Sequence, residues 1–385
     1  MDNKKKNPNV PNLRFRFDDD WKSDIFMNLV DRRSNKLNPD QLINKDFKCI
    51  ELDSLSQETG ELLATYLAVE QRSIKNLFYK NDILYGKLRP YLRKYYKANF
   101  DGCCSSEIWV LNSKFINHDF LYHYIQTNNF NTLANISTGS KMPRADWNII
   151  SESELSYPSM EEMKKIGKFL NHIEERIKVQ SKIINNLESQ KKHIINNLFK
   201  DGTVVKLNKL IHEINTKNKN NSINEVLSVN NKLGFIKQSD QFEDRNVASE
   251  DLSNYKIVSI NDYAFNPARI NVGSIARLKN YDCGIISPMY LCFKINTGKI
   301  THSYFDAFLL SSSFKKQLNQ KLEGSVRQCI TMDGFKNIDI ILPSLKTQMK
   351  ISVIIDKLDQ KLMIEKKYLI NLKKQKQYLL RNMFV

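Results

Sequence analysis

Two stretches of this chain carry the same long helical pattern. Between 159 and 199, apolar residues recur in steps of three and four at Ile166, Leu170, Ile173, Ile177, Ile184, Leu187, Ile194 and Leu198. That is a heptad seam, the pattern by which helices pair. It returns at Ile351, Ile355, Leu358, Leu362, Leu369, Leu372, Leu379 and Met383. The stretches 158–199 and 343–384 align without a gap at a constant offset of 185. Even the polar breaks recur: Gln180 and Lys191 in the first, Glu365 and Lys376 in the second. Polar residues in a seam cost stability and can fix register or partner choice, so these four are candidate positions for register or partner docking. Ser159 with Glu162 has capping-box spacing after Pro158, which predicts a helix start near Ser159. Asp201-Gly202 predicts its end, with Gly202 as the C′ residue. About 34 helical residues would span roughly 50 Å.

The remaining chain has mixed patterning. Residues 1–9 read as a polar arm. Leu13, Phe15 and Phe17 alternate with Arg14 and Arg16, which predicts a short strand or an anchored extended arm. Residues 82–88 and 107–113 read as strands, 115–127 as a helix and 215–224 as a loop. With 12 glycines in the chain, Gly86, Gly102 and Gly139 are expected to mark turns. A fainter repeat links these regions. NDILYGKLRP (81–90) aligns with NDYAFNPARI (261–270), SSEIWVL (105–111) with SPMYLCF (287–293), and TGSKMPR (138–144) with EGSVRQC (323–329). The chain therefore divides into a globular domain at 1–157 with its arm, a helix at 158–200, a second globular domain at 201–342 and a second helix at 343–385. The fold class is α+β, with two similar domains each followed by a long helix.

Charge narrows the class of partner. The 385 residues include 59 Lys and Arg against 42 Asp and Glu, a net charge of +17. This favours a polyanion, nucleic acid foremost. The bland alternatives are a basic surface kept for solubility and lysine drift in an AT-rich genome. The helices carry much of the excess, net +4 over 161–200 and +7 over 346–385. Six cysteines form no CxxC pair and the histidines no HExxH, so packed, reduced cytoplasmic thiols are expected and no metal. No apolar run reaches the roughly 18 residues of a membrane span, and residues 1–10 lack the apolar core of a signal peptide. Catalytic motifs are missing as well. There is no Walker A loop and no glycine-rich loop suited to S-adenosylmethionine. NPAR at 266–269 lacks the second proline and the aromatic that stacks on a flipped base. No catalytic residue and no cofactor are expected.

The candidate chemistry is DNA contact. Lys87, Arg89, Arg93 and Lys94 stand beside Tyr85 and Tyr91. Arginine forks read guanine edges and lysines neutralise phosphate. The competing reading is a core strand with a solvated cationic face. Ser140, Lys141 and Arg144 follow Gly139 ahead of Trp147, a segment that could turn backbone N–H groups toward phosphate. The second-domain candidates are Arg269, Asn271 and Arg277, with Ser325, Arg327 and Gln328 after Gly324.

VPNLRFRFDDDW (10–21), LYGKLRPYLRK (84–94), STGSKMPRADW (137–147) and the duplicated helices occur in an order that resembles the specificity (S) subunit family of type I restriction–modification enzymes. The resemblance implies that each globular domain reads one half of a split DNA target. It also implies that the helices pack as an antiparallel coiled coil, set the spacer, and recruit two methyltransferase (M) subunits and, for restriction, two motor-nuclease (R) subunits. The subunit itself would be non-catalytic. One departure is that NPARINVGSIAR (266–277) stands where the first copy has GKLRPYLRKYYK, so these loops are not expected to be equivalent. The alternatives are a coiled-coil interaction protein with non-specific DNA binding, an orphan or decoy specificity subunit, and a single-chain enzyme.

Overall fold

The computed structural model describes residues 10–42, 46–136, 141–241, 251–324 and 328–385. Its two long helices are α1 (Met160–Leu198) and α2 (Leu345–Asn382). The chain divides into two compact units, residues 1–181 with 367–385 and residues 182–366. Each unit holds half of each helix. In the first, Ile166, Leu170 and Ile173 of α1, Leu379 of α2 and Met383 just after it share one core with Phe26, Phe120 and Phe130. In the second, Ile195 of α1 and Ile351 and Ile355 of α2 share a core with Phe293, Phe305 and Phe335. The seam thus serves both helix pairing and domain docking, so compactness breaks the helices near their middles. The linear division at 157, 200 and 342 instead follows the helix ends. Near the end of α1 the buried position moves from the expected Ile194 to Ile195, because an α-helix drifts by about 20° per heptad against a strict seven-residue repeat.

Within each unit the helix halves run antiparallel. In the first, Glu174 pairs with Lys376 at 2.5 Å and Arg176 meets the Tyr368 hydroxyl. In the second, Glu188 pairs with Lys366 at 2.6 Å and Lys191 with Asp359. As the position on α1 advances, its partner on α2 recedes.

The globular parts repeat one topology. A four-stranded antiparallel sheet has the order Val30–Arg32, Ile108–Ser113, Ile83–Gly86, Tyr95–Lys97 in the first unit. The second has Ile211–Ile214, Leu291–Ile295, Tyr263–Phe265, Ile275–Arg277. Each unit adds a mixed sheet with one parallel pair, Lys48–Ile50 beside Gly102–Cys104 in the first and Val226–Asn230 beside Cys283–Ile286 in the second. The shared Asn-Asp dipeptide now has a cause. Asn81 and Asn261 are both left-handed, at φ 74° and 72°, a conformation asparagine tolerates better than most residues. The buried Asp82 and Asp262 then each accept the backbone N–H three residues back, from Tyr79 and Ser259, at 2.8 Å.

Several local expectations change. Residues 10–21 form an anchored extended arm and no strand. The Leu13 N–H donates to the Asn382 carbonyl at 2.8 Å, and Phe15 meets Phe169 edge-on. Arg14 binds the buried Glu162 carboxylate at 2.8 Å. That contact displaces the expected capping box, and the Ser159 hydroxyl is buried without a hydrogen-bond partner among the described residues. Gly86 and Gly102 lie in strands, not turns. A Cβ on Gly102 would come within 2.7 Å of the Phe78 ring, so close packing explains that glycine. Gly139 lies outside the described residues. Gly202, at φ +145°, sits four residues beyond the end of α1, pressed against Leu342 at the start of a strand, so it does not cap the helix.

Candidate nucleic-acid interface

The strand after each Asn-Asp pair leads into a loop with a 3-10 turn in both units. In the first, a 3-10 turn over Pro90–Leu92 lies between Arg89 and Arg93, both left-handed at φ 52° and 47°. In the second, a 3-10 turn over Ile270–Val272 follows Arg269 and closes at Gly273, φ 96°. The positions correspond at an offset of 180: Arg89 to Arg269, Tyr91 to Asn271, Arg93 to Gly273. The expected non-equivalence holds for the side chains and for the entry residue, left-handed at Arg89 but at φ −135° at Arg269, while the 3-10 turn and its left-handed close at Arg93 and Gly273 are shared. A left-handed non-glycine residue costs roughly 1–2 kcal/mol. Such strain concentrates at functional positions, and the first loop carries it twice.

Backbone bonds bring the two candidate segments of each unit together. The Arg89 N–H donates to the Pro143 carbonyl at 2.8 Å, and Ala145 N–H to the Lys87 carbonyl at 2.9 Å. In the second unit Ile330 N–H donates to the Pro267 carbonyl at 3.3 Å. Arg89, Tyr91 and Lys141 are exposed on the first platform, with Lys87 and Arg93 half-buried. Arg269, Asn271 and Gln328 are exposed on the second. Ser140, Ser325 and Arg327 lie outside the described residues.

Three candidates do not present themselves to a ligand. Tyr85 is fully buried, stacked on Trp109 with ring centroids 6.0 Å apart, so it is floor and not surface. Burial raises its phenol pKa, and the hydroxyl has no hydrogen-bond partner among the described residues. Tyr85→Phe should therefore stabilise the first unit by about 1 kcal/mol and leave DNA affinity unchanged. Urea unfolding and a binding titration would check both parts, and a loss of affinity would return Tyr85 to the interface. Lys94 turns inward, its Nζ donating to the Leu52 carbonyl at 2.7 Å. Arg277 is held by Asp306 at 2.9 Å with its side chain 14% exposed. Lys97, at the corresponding strand position, makes the same strand-to-helix pair with Asp119. Arg277 is thus one half of a duplicated structural tie.

Arg144 is exposed but engaged, paired with Glu107 at 3.0 Å. Sequence reasoning missed Glu107. It also missed Asn128, whose side-chain oxygen accepts from Arg93 at 3.4 Å, and Arg32, stacked 4.7 Å over the Trp147 ring. These residues lie far along the chain from their partners, and no local pattern marks them. On the helices, Gln180 and Lys376 are buried, while Lys191 and Glu365 are half-buried. The acids that meet the two lysines, Glu174 and Asp359, are themselves 185 apart, so the whole ion pair is duplicated.

The chain matches a family model described as the type I restriction modification DNA specificity domain over residues 57–189 and 260–374. It is 37% identical over 95 residues to the type I restriction enzyme EcoDI specificity subunit of Escherichia coli. That stretch is 24% of this chain, and the chain spans about a fifth, 21%, of that relative. The crystal structure of a type I restriction-modification system S subunit from M. genitalium shares the fold at TM-score 0.60 and 15% identity, over 98% of this chain and 99% of that one. A chain from a structural study of complex assembly and conformational transition in the type I R-M system matches at TM-score 0.58 and 15% identity, over 94% and 96%.

Proposed function

The chain belongs to the type I restriction–modification DNA specificity family, and from that premise we propose that it is the non-catalytic DNA-reading subunit of a cytoplasmic complex. Each unit reads one half of a two-part target in double-stranded DNA. The helices fix the unread spacer and dock two methyltransferase subunits and, where restriction occurs, two motor-nuclease subunits. The observation that carries this reading is the duplicated loop. Arg89 and Arg269 occupy one position of one turn, exposed in both units, while its apex is Tyr91 in one and Asn271 in the other. An arginine fork reads guanine or grips phosphate, and asparagine pairs with adenine, so a retained arginine beside a changed apex suits two different half-sites.

The test is binding by the chain assembled with its methyltransferase subunits, titrated with salt against a random DNA pool. The proposal expects one two-part sequence to be enriched, its preference persisting as salt rises. A coiled-coil protein with non-specific DNA affinity would enrich nothing and lose binding steeply with salt.

A further inference from the structure

We propose that the first unit also grips the DNA backbone with its helices, in a cleft between the recognition loop and the helix pair. This inference rests on the DNA-reading role above. The cleft holds about 670 Å³. Its cations come from three elements: Arg93 from the strained loop, Lys178 from α1, and Lys373, Lys374 and Arg381 from α2. Among the described residues only Glu58 and Glu61 oppose them, since Glu174 on the lining is already paired with Lys376. Among the described residues none of the five cations is in an ion pair, and the three from α2 are exposed. Gln57, Thr59, Asn128 and Gln377 add neutral hydrogen-bonding groups.

Unpaired cations spread along a cleft, interleaved with neutral donors, suit a chain of phosphates better than a base edge. Arg93 joins this cleft to the recognition loop. Its Nη2 donates to Asn128, and its carbonyl accepts the Glu58 N–H at 3.0 Å. A phosphate backbone leaving the half-site at Arg89 and Tyr91 would pass to Arg93 and then to the α2 lysines. The second unit carries less of this charge in its corresponding cavity, about 700 Å³ beside Lys191 and Asp359, which exposes Leu233, Val272 and Leu310. There Arg277 and Lys279 are both paired with Asp306, and among the described residues two lining cations, Lys232 and Lys315, are outside an ion pair, against five in the first unit.

The experiment uses the full chain assembled with its partner subunits. The combined variant Lys373→Gln, Lys374→Gln, Arg381→Gln is compared with the parent on target and non-target duplexes over a salt series. Each lost phosphate contact lowers the log–log salt slope by about 0.9, so the slope should fall by roughly 2.7. Target and non-target affinity should fall by the same factor, leaving their ratio unchanged. A control neutralising three exposed lysines outside the cleft, Lys80, Lys164 and Lys168, should leave the slope as it was. An unchanged slope in the cleft variant, or an equal drop in the control, overturns the inference. So does loss of partner subunits on purification, which would assign the cleft to an acidic protein segment. If the parent complex shows no target preference, the DNA-reading role itself fails.

Discussion

Lys376→Ala is expected to destabilise the first unit by about 3–5 kcal/mol, and Lys191→Ala to cost the second less than about 1 kcal/mol. The two lysines are copies of one position and pair with copies of one acid, so only their surroundings differ. Lys376 and Glu174 are 11% and 9% exposed as side chains, whereas Asp359 is 51% exposed beside Lys191 at 17%. Removing Lys376 strands a buried carboxylate whose other contact is the Tyr122 hydroxyl at 3.3 Å. Removing Lys191 frees a carboxylate that water already reaches. Replacing both Glu174 and Lys376 with leucine should recover most of the loss, because no charge is then left buried. Tryptophan fluorescence during urea unfolding reads the first unit alone, since Trp21, Trp109 and Trp147 all lie within it, and far-UV circular dichroism over the same titration adds the second. Equal losses at the two lysines would refute the role of burial.

The same cluster makes the first unit acid-sensitive. Burial pushes the His123 imidazole down to about 4, below its ordinary 6.5. In that window the unfolded chain takes up a proton that the folded chain refuses, so stability falls as pH drops from 6.5 toward 4. Burial alone would raise the Glu174 pKa, but the charge and hydrogen bond of Lys376 together with the charges of His123 and Lys178 outweigh it, and the net shift is downward. Its contribution is present above the ordinary carboxylate range and is lost as pH falls through the lowered value. Both groups act in one direction.

Deleting one heptad from the middle of each helix should shorten the required spacer by about 3 base pairs, since seven residues rise roughly 10 Å and a base pair about 3.4 Å. Both half-site sequences should stay the same. α1 and α2, of 39 and 38 residues, each contribute to both compact units, so a matched deletion keeps the seam in phase while changing its length. Activity on the shortened site should rise by orders of magnitude over activity on the parental one. An unchanged target would exclude the helices as the element that sets spacing.

The sequence made the duplicated helices legible because a heptad seam is local and periodic. The strands at 82–88 and 107–113 were legible too, as short apolar runs. What it hid depended on partners distant in the chain. Tyr85 reads like an interface tyrosine until Trp109 covers it. Arg277 reads like a DNA contact until Asp306 claims it. Ser159 and Glu162 read as a cap until Arg14, nearly 150 residues earlier, takes the carboxylate. The kinship of the two loops was also hidden, because Arg93 in one and Gly273 in the other reach the same left-handed backbone by different means. Side-chain comparison registers that difference, and only φ reveals the identity.

The central claim is that each unit reads its own half of the target. It is tested most directly by sequencing methylated adenines in DNA modified by the complex carrying the parent chain, Arg89→Ala or Arg269→Ala. The parent should mark one two-part motif. Arg89→Ala should relax one part and Arg269→Ala the other, each by roughly 1–3 kcal/mol of lost discrimination, with the spacer unchanged. A single undivided motif, or variants that each weaken both parts alike, would contradict it.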